Sequence, residues 1–273
     1  MKKTFSSKKS AFSLIELSIV LIIIGLLIAG ITGGASLIKS SELRSVMGEA
    51  RGYAVAVNAF YTQFNALPGD YNVAVGGAAY AGSTNGLNGR IEYYASDASA
   101  YASEGVAAWN QLKQVGAIET GPTTLLAVGT AQVPSANMVV SKIKSAGWHF
   151  DYRNNVGAAG DYAGAGTNEG LLAVPANQNV VVLTGGVGAT SATTATMVNG
   201  TTNKTTTAIL TGNDALSIDT KIDDGYANAG KVRGLNPAAT TACYATSATA
   251  NVVYTVSATT KVCAITYQVD VNS

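Results

Sequence analysis

One stretch near the N-terminus constrains this chain more than any other, because it is apolar throughout except for a single carboxylate. The stretch, at 11–30, reads AFSLIELSIVLIIIGLLIAG, and Glu16 is its one charged residue. About twenty apolar residues in a helix are enough to cross the hydrocarbon core of a bilayer. A carboxylate inside such a helix costs on the order of 2.5 to 3.5 kcal/mol, so Glu16 needs a functional explanation.

The residues on either side of this stretch fit three kinds of N-terminal segment. MKKTFSSKKS supplies four lysines before it, and ITGGAS follows it. A secretory signal peptide cut near Ala35 has this arrangement. An ordinary signal anchor, with its lysines held in the cytoplasm by the positive-inside rule, has it as well. Neither of these explains Glu16, whereas the third interpretation uses every feature.

The third interpretation rests on the residues around Glu16. A short lysine-bearing leader ends at Ala11, and FSLIEL follows at 12–17. This segment resembles, position by position, the class III signal of type IV prepilins and of the pseudopilins of type II secretion. The resemblance implies that a membrane-embedded prepilin peptidase cuts between Ala11 and Phe12, that the new amino group is methylated, and that the apolar helix stays attached. The family mostly has glycine at the position of Ala11.

The same resemblance identifies Glu16 as the family's characteristic glutamate and implies a partner for it. After cleavage, Phe12 bears a positively charged amine that is as poorly solvated in an apolar bundle as the Glu16 carboxylate. Breaking a buried ion pair is expensive, so a pair between stacked subunits fixes their register. We therefore expect Glu16 to register one subunit against the next. A carboxylate that snorkels near a helix end is the structural alternative.

Past the apolar stretch the helical pattern continues and becomes amphipathic. Apolar residues recur at steps of four and three, which indicates one buried helical face with Glu49 off it. They are Val46, Ala50, Tyr53, Val57, Phe60 and Phe64. We predict one helix over 12–65, ended by LPG at 67–69. Two helices broken at Gly33 and Gly34 are the alternative.

The remainder, 66–273, predicts a β-rich head with large loops. SEGVAAWNQLKQVG at 103–116 predicts a short helix capped by Ser103, and short β-type runs alternate with Gly, Asn and Ser turns from about residue 137. The strand candidates are NMVVSKI, WHFDYR, LLAV, NVVVLTG, NVVYTVS and VCAITYQVD, the last two as a hairpin or edge pair. NDALSIDTKIDDGYANAGKVRG predicts a short helix and a loop.

The predicted fold class is therefore α+β and pilin-like, with a long N-terminal helix packed on an antiparallel sheet. Three segments follow from it: a cleaved leader over 1–11, a transmembrane and assembly helix over 12–65, and a globular head over 66–273. The first half of the helix is apolar all round, and its second half packs on the head.

Charge and motifs argue against nucleic-acid binding and catalysis. The net charge is +1, but four of the seventeen basic residues lie in the first eleven positions; without these eleven, 13 basic against 16 acidic side chains leave −3. That balance gives no electrostatic footprint for nucleic acid. GAGTNEG at 164–170 matches neither the dinucleotide fingerprint nor the Walker A pattern. A Ser/His/Asp arrangement would have to use His149, which lies in a predicted strand, so we expect no enzyme.

The two cysteines, Cys243 and Cys263, form no CxxC motif. In an exported protein they predict one disulfide that closes a loop of about twenty residues, worth roughly 3 kcal/mol in the chain-entropy model. Two free thiols are the alternative. Together with the lone His149 they would make a poor zinc site.

Three aspartates, Asp219, Asp223 and Asp224, form the one candidate metal site. Carboxylate oxygens suit a hard cation, and the resemblance to major pseudopilins implies calcium in the C-terminal part of the head. Their spacing is not that of an EF-hand loop. Capping and solvated loop charges are the alternative, and we expect no other cofactor.

Taken together, these features predict a structural subunit of a type IV pilus-like filament. It would sit in the bacterial inner membrane before assembly and then polymerise into an extracellular or periplasm-spanning filament. Its partners would be copies of itself, prepilin peptidase, an inner-membrane assembly platform and the membrane. A pseudopilin of a type II secretion system is the closest alternative. A secreted binding or adhesion module with an ordinary signal peptide is the alternative from another class.

Overall fold

The computed structural model describes residues 13–71, 89, 91, 104–121, 132–134, 136–153, 178–186, 207–236, 243–244, 251–257 and 259–269. The chain divides into two compact units, 1–42 and 43–273, and each is considered by itself. The predicted strand LLAV, the GAGTNEG segment and the predicted cap Ser103 lie outside the described residues.

A single helix, α1, occupies Leu14–Phe64 and is unbroken at Gly33 and Gly34. The single-helix prediction is therefore confirmed. α1 ends because Asn65 adopts a left-handed backbone conformation, with φ of 52°, and donates its N–H to the Tyr61 carbonyl at 2.7 Å. Such a residue closes the last helical turn. The last helical residue, Phe64, lies three positions before the predicted LPG segment begins at Leu67.

In the part of the chain that the structure describes, five antiparallel strands form one sheet in the order β1-β2-β3-β5-β4. They are β1 Val139–Val140, β2 Gly147–Arg153, β3 Gln178–Thr184, β4 Val232–Leu235 and β5 Ala264–Gln268. Because side chains alternate along a strand, Trp148 and Phe150 of β2 join the core that contains the buried residues of α1. A second buried cluster occupies the opposite face of the sheet and consists of Val180, Val182, Leu235 and Ala264. The α+β fold class is confirmed.

The C-terminal strand expectations are wrong in three respects. KVRG, predicted as loop, supplies most of β4. VCAITYQVD forms β5, but β5 lies inside the sheet between β3 and β4 instead of at an edge. NVVYTVS, its expected partner, forms no strand and makes one isolated bridge, Tyr244 to Tyr254. Residues 264–267 of β5 are all buried, and tertiary burial of this kind overrides local strand preference.

Two shorter helices support the sheet. α2, Glu104–Gln114, buries the predicted face, and Gly116 follows it with φ of 72°. The buried positions include Val106, Trp109 and Leu112. α3, Gly212–Ile222, begins with a capping box in which Thr211 and Asp214 satisfy each other's backbone N–H groups. Both helices were predicted from the sequence.

Candidate functional site

Glu16 lies in the first turn of α1 and caps it. Its Oε2 accepts a hydrogen bond from the backbone N–H of Ser13 at 3.0 Å. A glutamate three residues after the N-cap that reaches back to the cap N–H is half of a capping box. The sequence signal for this contact, Ser-x-x-Glu at 13–16, was present and was not used in the sequence analysis. The cap gives the carboxylate a role within the chain that the apolar composition did not reveal.

The first half of α1 exposes its apolar side chains in every direction. They include Leu14, Ile15, Leu17, Ile19, Val20, Leu21, Ile22, Ile23, Ile24, Leu26, Leu27, Ile28, Ile31, Leu37 and Ile38, each at least 46% exposed. Among the described helices, α1 is long and apolar enough to cross a membrane, judged by length and composition. So much exposed apolar surface needs a lipid or protein environment.

Comparison with family models supports this interpretation of the N-terminus. Residues 6–32 match the family described as the prokaryotic N-terminal methylation motif. The chain carries the cleavage and methylation motif of type IV prepilins. Comparison with curated proteins and with solved structures gave no match.

The prepilin motif implies processing by prepilin peptidase and assembly by a membrane-associated pilus machinery. Together with the apolar helix it indicates a membrane-anchored precursor. It is the motif of structural, pilin-type or pseudopilin-like substrates. The predicted cleavage residues, Ala11 and Phe12, lie outside the described residues.

Glu49 links the second half of α1 to the sheet. Its carboxylate accepts hydrogen bonds from Ser141 Oγ at 2.6 Å, from the Lys142 backbone N–H at 2.9 Å and from Trp148 Nε1 at 2.8 Å. Placing Glu49 off the packed face was therefore wrong, since it lies at the margin of that face and is half-buried. These partners are more than ninety residues away in sequence, so periodicity along the helix could not show them.

Aromatic rings surround this link. The Tyr53 ring meets Trp109 edge-on, with ring centroids 4.8 Å apart, and Trp148 edge-on at 5.6 Å. Trp109 in turn lies 4.2 Å from Phe150. Burial, and secondarily the Glu49 carboxylate, raise the pKa of Tyr53 above its usual range. The head therefore holds α1 through both an apolar aromatic cluster and a charged hydrogen-bonding centre.

The three aspartates of the candidate metal site do lie together. One carboxylate oxygen from each of Asp219, Asp223 and Asp224 falls within 4.8 Å of the others. Asp219 is fully buried in terms of accessible surface, and it accepts hydrogen bonds from Tyr254 Oη at 2.8 Å and from the Gly225 N–H at 3.1 Å. Burial raises the pKa of Asp219 to about 7 despite these two donors. Repulsion from its two carboxylate neighbours, Asp223 and Asp224, contributes a smaller part of this rise in pKa.

The other two aspartates organise the loop that follows α3. Asp223 Oδ2 accepts the backbone N–H groups of Lys231 and Val232, and Asp224 Oδ1 accepts the Tyr226 N–H at 2.8 Å. Buried Arg233 adds positive charge nearby: burial lowers its pKa, and the three carboxylates act to raise it. Carboxylate oxygens are suitable ligands for a hard cation, but oxygens of these three aspartates already accept hydrogen bonds from the protein. Calcium at this site stays a prediction.

The predicted disulfide is present. Cys243 and Cys263 are bonded, with their Cα atoms 4.8 Å apart and a sequence separation of 20. Cys263 directly precedes β5, and its carbonyl accepts the N–H groups of Ile209 and Leu210. The bond therefore ties Cys243 to the start of an inner strand.

His149 is a buried residue of β2. Its Nε2 lies 3.6 Å from Asp151 Oδ2, and both side chains are at most 2% exposed. The two residues alternate with Trp148 and Phe150 and so face the other side of the sheet. Both side chains are therefore shielded from solvent within the sheet.

Proposed function

We propose that the chain is a pilin, the structural subunit of a type IV pilus-like filament. A leader over 1–11 is removed between Ala11 and Phe12, α1 carries membrane anchoring and then polymerisation, and a head over 66–273 lies outside the membrane. The observation that carries this proposal is one continuous helix whose first half is exposed and apolar and carries the prepilin motif, while its second half is built into the core of a folded head.

The exposed apolar surface of α1 has to be covered both before and after assembly. Before assembly, the first half of α1 is long enough to cross the bilayer. After extraction from lipid, the same surface remains unfavourable in water unless other copies cover it. A bundle of α1 helices from many copies would bury it. Within such a bundle Glu16 and the Phe12 amine each need a partner, and a pair between neighbouring copies would fix their register.

The first test is the mass and N-terminal peptide of the mature protein from its native host. A chain that begins at methylated Phe12 supports the proposal. A chain that begins near Ser36 would have lost Glu16 with a signal peptide, and would be a secreted module. A chain that begins at Phe12 is not necessarily a pilin. If deleting the protein stops enzyme secretion while surface filaments persist, the protein is a type II pseudopilin.

A pair of substitutions separates the two roles of Glu16. Glu16→Gln keeps a side-chain oxygen that accepts the Ser13 N–H but removes the charge, whereas Glu16→Ala removes both. We expect both variants to be cleaved and both to lose filaments, measured by mass spectrometry and by the yield of sheared filaments. Filaments at the wild-type level from Glu16→Gln, together with their loss in Glu16→Ala, would show that the cap matters and that the charge does not.

A further inference from the structure

The second half of α1 has an exposed face that we name the basic face, made of Arg44, Gly48, Arg51 and Val55. Steps of four, three and four residues place these on one side of the helix. All four are exposed, and Val55 is 68% exposed. A Cβ added to Gly48 would meet no atom within 4 Å. Glycine inside a helix costs about 1 kcal/mol of stability relative to alanine. A larger side chain would fit at position 48 of the isolated chain, so no contact described within the chain offsets this cost.

The first half of α1 carries a face with the same spacing and the opposite charge, here the acidic face: Glu16, Val20, Ile23 and Leu27. These residues too are exposed, at 50% for Val20, 51% for Ile23 and 59% for Leu27. Each lies 28 positions before its counterpart on the basic face, since 44 − 16, 48 − 20, 51 − 23 and 55 − 27 are all 28. At 1.5 Å per residue this shift is about 42 Å of helix.

We propose that the basic face of one copy docks the acidic face of a second, parallel copy at an offset of 28 residues, with Glu16 beside Arg44. This assignment rests on the filament function proposed above and names its helix contact. Val20 then lies over Gly48, where the missing side chain lets the two backbones approach. Leu27 meets Val55, and Ile23 lies along the aliphatic stem of Arg51.

An offset of 35 residues, which also pairs Glu16 with an arginine, satisfies the two faces less well. At 35 residues Glu16 meets Arg51, but Leu27 meets Thr62, and Arg44 would pair with Lys9, which the proposed cleavage removes. The Phe12 amine and Arg44 reach Glu16 from different neighbouring copies. Phe12 lies four residues before Glu16, so its amine meets the Glu16 carboxylate of a copy that is shifted by about 6 Å along the helix axis. Arg44 needs a copy that is shifted by about 42 Å.

Cysteine cross-linking in assembled filaments tests the offset. The two native cysteines are buried in a disulfide, so introduced thiols would be the reactive ones. The full chain, expressed in its host, carries Leu27→Cys with Val55→Cys; its matched control carries Val20→Cys with Val55→Cys, an offset of 35. After mild oxidation of sheared filaments, we expect a ladder of linked multimers from the first variant only. Filaments without a ladder, or with an equal ladder in the control, overturn the proposal.

A charge reversal gives a second readout that does not need cysteines. Arg44 is exposed, so Arg44→Glu should leave thermal unfolding of the detergent-solubilised chain unchanged while lowering filament yield at least about tenfold, and Arg44→Lys should assemble. Normal assembly of Arg44→Glu overturns the proposal, even if the double cysteine variants do not assemble. Failure of the filament function is a distinct outcome, because then the wild-type chain itself yields no filaments.

Discussion

Replacing Glu49 by alanine should destabilise the head by about 3 kcal/mol. The substitution removes the acceptor of three hydrogen bonds at the contact between α1 and the sheet. Trp148 and Ser141 are buried, so their side-chain donors would lose their hydrogen-bond acceptor. Each buried donor left unsatisfied costs about 1–3 kcal/mol. Lys142 is exposed, and water can replace its bond. Alanine is the better helix former, so a loss of stability cannot come from helix propensity.

Urea unfolding of the full chain in detergent, followed by tryptophan fluorescence, measures this effect, because Trp148 is itself a partner of Glu49. A loss of about 3 kcal/mol lowers the folding equilibrium constant roughly a hundredfold. Glu119→Ala is the matched control, since Glu119 is exposed and its loss should stay within about 0.5 kcal/mol. If Glu49→Ala unfolds with the same free energy as wild type, the carboxylate does not hold α1 to the sheet.

Three further predictions concern the C-terminal part of the head. Burial raises the pKa of Asp219 to about 7, against about 4 in an unfolded chain. The folded state therefore binds this proton more tightly than the unfolded state. In EDTA, the Tm should fall as the pH rises from 4 to 7. Asp219→Asn should flatten this slope. If EDTA lowers the Tm at pH 7.5, the result would support calcium at the three aspartates. If EDTA leaves the Tm unchanged, the calcium prediction is wrong. Replacing Cys243 and Cys263 by serine should cost roughly 3 kcal/mol for a loop of this length, with wild-type stability in urea contradicting the estimate.

The elements that the sequence predicted well are those whose signal is local. α1, α2 and α3 repeat apolar residues at helical spacing, and α3 also carries its capping box in consecutive residues. β4 and the inner position of β5 were missed because they depend on pairing between distant segments: β4 and β5 are about thirty residues apart, and β3 and β5 are more than eighty apart. Glu49 was misplaced for the same reason. A charged residue at the edge of an apolar stripe looks solvent-facing until its distant donors are known.

Glu16 shows a different limit. Its hydrogen bond with the Ser13 N–H joins residues only three positions apart, so the sequence contains the signal for it. The cost of a carboxylate in an apolar helix pointed instead to a partner in another copy of the chain. The two roles are compatible, because the cap needs an acceptor oxygen and the register needs a negative charge. A capped Glu16 also begins α1 with its carboxylate already fixed at the helix N-terminus, which lowers the entropy lost when a cation from a neighbouring copy arrives. Comparing wild type with Glu16→Gln measures the effect of the charge while the cap is kept, and comparing Glu16→Gln with Glu16→Ala measures the effect of the cap in the absence of the charge.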